Sequence, residues 1–160
     1  MDQQILTTIL NDTFTVTQLK HRLVMLKSYL TKKLFGTSDE TNLEQTDLNW
    51  LSSLGEAFYQ KFTKDNVYQI LNDLQTQTNQ IVPLTIYLPF EVEQSSSAQI
   101  GSFARTSFNH PTLLLEVRYD PTLIAGCALS WKGIYRDYSL KAKIEDKKEE
   151  ILTTFKSFLR

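Results

Sequence analysis

The sequence is poor in the residues that carry most protein chemistry. Its 160 residues include one cysteine, Cys127, two histidines, His21 and His110, and five glycines. A single cysteine excludes an intramolecular disulfide framework and a zinc–thiolate cluster. Two histidines supply a multi-histidine metal site poorly. The glycines are scattered, and none precedes a Lys-Ser or Lys-Thr pair in phosphate-loop spacing. A Gly-x-Ser-x-Gly nucleophile elbow is also missing. Neither sign of charge dominates: 17 basic against 18 acidic side chains leave a net charge of −1. A dedicated nucleic-acid binder needs a cationic surface, so the balance argues against that class. Long apolar runs are lacking too. The charge-free stretch Pro121 to Trp131 falls short of the ~20 residues that span a bilayer core. The opening Met-Asp-Gln-Gln-Ile-Leu has no cationic n-region and no apolar h-region. It predicts a cytoplasmic chain that meets a membrane only through a partner.

What is present suits a globular fold: 41% hydrophobic and 22% charged residues. The length allows one ordinary domain or two small ones. The four prolines, Pro83, Pro89, Pro111 and Pro121, all fall in the second half. The first half is therefore free to form uninterrupted helices. Residues 1–80 carry 7 basic and 9 acidic side chains, and residues 81–160 carry 10 and 9. That difference assigns a polyanionic partner to neither half. The polar stretch Gln75 to Gln80 reads as a helix end running into a linker, or equally as an exposed last helix turn.

Apolar spacing in the first half has a helical period. Val16, Leu19, Leu23, Leu26, Leu30 and Leu34 form one stripe, with Thr15 or Thr17 as N-cap and Gly36 as C-cap. Leu48, Leu51, Leu54, Phe58 and Phe62 mark a second helix over 47–62, with Trp50 beside the stripe. Val67, Ile70, Leu71 and Leu74 mark a third, and Ile5, Leu6, Ile9 and Leu10 a short leading one. Such stripes serve as bundle core or as a groove for a partner helix.

The second half changes period. Val82, Leu84, Ile86 and Leu88 alternate as in a strand, with Pro83 at its start or on an edge. Residues 94–108 have helical spacing at Ile100, Phe103, Ala104 and Ser107. Residues 112–119 alternate again. Residues 124–131 and 134–138 predict a hairpin around Lys132-Gly133. A long amphipathic helix over 139–159 closes the chain, with Leu140, Ile144, Ile151, Phe155 and Phe158 on one stripe. The predicted fold is α+β: an N-terminal helical bundle over 1–80 and a small C-terminal α/β domain over 81–160.

Candidate chemistry is thin. Cys127 sits in Ala-Gly-Cys-Ala-Leu and reads as a small buried filler. His21 reads as a solvated helix residue and His110 as part of a turn before Pro111. Glu91 with Glu93, or Asp120 with Asp137, are formal acid–base pairs. Carboxylates at strand ends more often bind backbone N–H groups. The run Lys141 to Glu150 mixes signs at helical spacing, as a solvated helix face does. No catalytic, cofactor-binding or metal-binding residues are assigned, and the reading points to a binding or structural module.

One region resembles a known family. Asp120, Pro121, Leu123, Ile124 and Gly126 are followed by a hairpin, then Asp137 and Ser139 open the last helix. This order is similar to the C-terminal region of the delta subunit of F-type ATP synthases, the oligomycin-sensitivity-conferring protein family. Ala125 stands where that family usually has a glycine, and its helical bundle is usually longer. The resemblance implies a non-catalytic stator subunit without cofactor, in one copy per complex. It would join N-terminal helices of the alpha subunits to the C-terminal region of the membrane-anchored b subunits and resist torque. Candidate contacts are Leu19, Leu23, Leu26 and Leu30 on the bundle, and Ile151, Phe155 and Phe158 on the last helix. The implied location is the cytoplasmic side of the plasma membrane. Alternatives are the peripheral-stalk E subunit of V- or A-type ATPases and a free-standing protein–protein adaptor.

Overall fold

The computed structural model describes residues 2–36 and 44–158. Among the described residues, five helices form the first half: α1 (Asp2–Asn11), α2 (Val16–Phe35), α3 (Gln45–Ser53), the single turn α4 (Glu56–Tyr59) and α5 (Val67–Gln80). The start of α2 is built by a reciprocal cap. Thr15 Oγ1 accepts the Gln18 N–H at 3.1 Å, and Gln18 Oε1 accepts the Phe14 N–H at 2.9 Å. Its end is closed by Gly36, whose N–H bonds Lys32 O at a φ of 71°. The second expected helix is two. Gly55, at a φ of 74°, breaks it between Ser53 and Glu56, so 47–62 is not one helix. The Gln75–Gln80 stretch is the helix end, the last turns of α5, and the linker starts only after it. Leu74 and Thr78 continue the buried face of α5 while Gln75 and Gln80 face solvent, and the connection is Ile81–Pro83.

Ile5, Ile9, Leu19, Leu26, Leu30, Trp50, Leu51, Phe58, Val67, Ile70 and Leu74 make one apolar core between these helices. Leu114, from the second half, completes it.

The second half holds β1 (Leu84–Leu88), α6 (Gln94–Ser107), β2 (Leu115–Tyr119), β3 (Ala128–Trp131), β4 (Ile134–Asp137), α7 (Leu140–Asp146) and α8 (Lys148–Phe158). The sheet order is β2-β1-β3-β4. β1 and β2 are parallel, joined through α6, while β3 and β4 pair antiparallel to their neighbours. Leu84, Ile86 and Leu88 alternate inward from β1, and α6 lays Ile100 and Ala104 on them. Phe103 does not join that face; it points to solvent. The hairpin turn uses Lys132 (φ 49°) and Gly133 (φ 79°), the double positive φ of a two-residue turn matched to strand twist.

The remaining boundaries shift. The strand expected from 112 begins at Leu115. The one expected from 124 begins at Ala128, because Ile124 and Gly126 take positive φ and turn the chain first. The terminal helix is not continuous: Lys147, at φ −102° and ψ 10°, separates α7 from α8. Its expected last residue, 159, lies outside the described residues. No helix among the described residues is long and apolar enough to cross a membrane.

Replacing Thr15 by Ala removes the cap acceptor of α2 while keeping the backbone. Urea denaturation is expected to show a loss of ~1 kcal/mol; an unchanged midpoint would mean the cap is dispensable.

Candidate partner-binding surface

The two blocks of the sequence motif come together at the base of α7. Asp120 Oδ1 accepts the Thr122 N–H at 3.0 Å and the Thr122 hydroxyl at 2.7 Å. Pro121 fits the first position of the short 3₁₀ turn Pro121–Leu123 that this cap begins. Leu123 is buried beneath it, and Ile124 faces solvent at a φ of 67°. Gly126, at a φ of 84°, lies against the backbone of the second block. A Cβ there would stand 2.5 Å from Tyr138 O and 3.1 Å from Ser139 Cα. Two backbone bonds hold the blocks together: Tyr138 N–H to Cys127 O at 2.9 Å and Leu140 N–H to Ala125 O at 2.8 Å.

Ser139 is fully buried, and its Oγ accepts the Ala142 N–H at 3.2 Å, capping α7. Asp137 Oδ1 accepts the Ser139 N–H at 2.8 Å. Hydrogen bonds from the Ser139 hydroxyl and N–H hold the Asp137 carboxyl below its ordinary pKa, aided by Lys141. These groups therefore satisfy backbone donors and aim a helix. Asp120 and Asp137 are each occupied in a turn of their own.

α7 and α8 leave this platform with their apolar side chains uncovered. Leu140 and Ile144 on α7 are exposed. On α8, Ile151 is 37% exposed, Phe155 63% and Phe158 82%, with Leu152 open beside them. No residue of α8 is buried. Lys147, Glu150, Ile151, Thr154, Phe155 and Phe158 line a shallow groove of about 230 Å³. Their spacing is that of one helix face, i, i+3, i+4, i+7, i+8, i+11. Full burial of a Phe or Ile side chain contributes roughly 1.5–3 kcal/mol, so covering this face would stabilise a complex substantially.

The bundle candidates are placed differently. Leu19, Leu23, Leu26 and Leu30 lie in the core at 0–7% exposure. They are not a partner groove, because α1, α3 and α5 all turn their own apolar rows onto α2. Periodicity identified the apolar face of α2 without showing what covers it. The exposed apolar groups of the bundle are others, among them Val24 and the stacked pair Phe35 and Tyr68, with ring centroids 5.6 Å apart. These break the stripe pattern, and sequence reasoning passed over them.

The remaining candidates form no reactive constellation. His21 is exposed, but it reaches Asp47 on α3 at 3.2 Å and ties α2 to α3. Cys127 is half-buried just before β3, against the sheet core. Glu91 and Glu93 are exposed before α6. A cleft of about 480 Å³ lies between α1, the Ile81–Pro83 link and the end of β3. His110 and Trp131 share its wall, rings edge-on at 6.0 Å, and His110 Nδ1 and Trp131 Nε1 are buried without a protein partner. No carboxylate or thiol lines that cleft to act with His110. Among the described residues, no group of three or more His, Cys, Asp or Glu side chains is arranged to hold a metal ion.

No protein-family model matches the chain, and a search of curated proteins finds no match to it.

Two outcomes follow for the platform. Gly126→Ala forces a side chain into backbone at a left-handed φ and is expected to cost at least ~2 kcal/mol in urea denaturation. Because the Asp137 pKa is depressed on folding, its contribution is complete above the unfolded value of ~3.9. It is lost as pH falls through the lower folded value. An NMR titration of the Asp137 carboxyl should give a midpoint below ~3.9, and Ser139→Ala should raise it.

Proposed function

We propose that this chain is a non-catalytic stator subunit of a rotary F-type ATP synthase, of the delta-subunit kind. The observation that carries this reading is the meeting of Asp120–Gly126 with Asp137–Ser139 beneath a helix pair whose apolar face is uncovered. Motif residues that only shape turns suit a protein whose task is to hold others. An uncovered row of Ile151, Phe155 and Phe158 suits a helical partner laid along it. On this reading α8 takes the C-terminal region of the b subunits. The bundle takes N-terminal helices of the alpha subunits through its exposed groups around Val24, Phe35 and Tyr68, not through the buried leucines of α2.

The mechanism is mechanical. Rotation of the central stalk drags the catalytic head, and a subunit bound to both head and b subunits opposes that drag. This requires two interfaces that dissociate slowly and a stiff body between them. No nucleotide, proton or metal is handled here, and the subunit sits at the cytoplasmic face of the membrane through its partners.

Isothermal calorimetry with the full chain tests this. The titrants are the C-terminal segment of the b subunit and an N-terminal peptide of the alpha subunit, both from the same genome. Both are expected to bind. The double change Phe155→Ser and Phe158→Ser should weaken b binding more than ~10-fold, which is ~1.4 kcal/mol, and leave alpha binding unchanged. Absence of binding to both would overturn the proposal.

A further inference from the structure

The two halves are joined by more than the Ile81–Pro83 link. α1 has no basic residue in its last turn, and a helix end leaves carbonyls that need donors. Arg105, on α6, supplies them from the other half. Its Nη1 donates to Asn11 O at 2.9 Å, and its Nη2 to Leu10 O at 2.8 Å and to Thr13 O. Its Nε donates to Leu113 O at 3.0 Å. The guanidinium also lies over the Phe14 ring, 4.6 Å from the centroid. One cation thus closes a helix end, where the helix dipole favours it. It also ties that end to the segment leading into β2. Burial lowers the Arg105 pKa and Asp12 partly opposes this; the group stays cationic.

The surroundings are built for the same contact. The Leu115 N–H donates to Phe14 O at 2.8 Å, and Thr15 bridges Leu115 in the parallel sense, so residues 14–15 extend the sheet beside β2. Gly101 lets α6 lie against Phe14: a Cβ there would stand 2.6 Å from the Phe14 Cβ. Thr13 is fully buried, and its hydroxyl donates to Ile9 O and accepts from Arg22 Nη1 at 2.7 Å. Arg22 in turn lies over Trp50, 4.7 Å from the ring centroid. The segment between α1 and α2 is therefore held by one arginine from each half. Leu114 meanwhile inserts into the bundle core.

We infer that Arg105 is the positioning residue that locks the helical bundle and the α/β part into one cooperative body. Parting the halves would strip a partly buried cation of three carbonyl acceptors at once, those of Leu10, Asn11 and Thr13, so partial opening is disfavoured. Three link residues alone would let the halves swivel. With the lock, load arriving at α8 passes through the sheet and α6 into α1. This deepens the stator reading, which needs a stiff body, yet the lock itself does not depend on which partners bind.

The chain's two tryptophans report the halves separately: Trp50 lies in the bundle core and Trp131 ends β3. Incorporation of 5-fluorotryptophan gives two ¹⁹F resonances that can be followed together through a urea titration. In the native chain both are expected to lose their folded signal at one midpoint. In Arg105→Gln the midpoints should separate by more than ~0.5 M urea. Arg105→Lys, which keeps the charge without the fork, should separate them less. Two midpoints in the native chain would overturn the lock, as would a single shared midpoint in both variants. Should Arg105→Gln not fold, Arg105→Lys decides alone: two distinct midpoints support the lock and one shared midpoint overturns it. No partner takes part, so failure here and failure of partner binding are read independently.

Discussion

The hydrogen bonds from Arg105 to the end of α1 determine how the helical bundle sits on the sheet. They join residues far apart in the chain through backbone carbonyls, so they set position without depending on which side chains neighbour them. The fork geometry matters. A lysine presents a point charge, whereas a guanidinium presents donors at fixed angles that can reach Leu10, Asn11, Thr13 and Leu113 together. Once those are met, Phe14 and Thr15 fall beside β2, and Leu114 falls into the bundle core. Removing that one group would leave four acceptors without their shared donor at the joint of two thin cores.

A second constraint acts at the other end of the molecule. Gly126 lies under the Tyr138–Ser139 backbone, and Ser139 and Asp137 cap the helix that follows. These contacts set the direction in which α7 leaves the sheet. α8 then runs on with its apolar row in solvent. A row of that kind is unfavourable for a free chain and favourable for one that spends its life bound. The contrast with α2 is instructive. Both helices carry apolar stripes, but α2 packs into the bundle core with other helices, and α8 has no neighbour within the described chain to cover it.

Much of the architecture was legible. The apolar spacing of α2, its Thr15 and Gly36 caps, the alternation of β1, the Lys132-Gly133 turn and the Asp137–Ser139 helix start are local, and local physics writes them plainly. Errors came where a single backbone angle overrides a pattern. Gly55 cuts a helix that its flanking leucines would continue. Ile124 and Gly126 delay a strand that its apolar run suggests. Lys147 breaks a stripe that reads as continuous across it. Candidate contact residues divided along the same line. The leucines of α2 and the aromatics of α8 look alike in sequence, and burial alone separates them.

The sequence by itself determined the α+β class, the order of elements, and the shortage of cysteine, histidine and glycine. Period and composition suffice for these, because they depend on neighbours within a few residues. The tertiary structure alone decided which apolar faces are covered, that Arg105 serves α1 rather than its own helix, and that Gly126 meets Ser139. Those outcomes depend on which distant groups come within a few ångströms of one another, and that is set by the joint satisfaction of buried carbonyls and apolar surface across the whole chain.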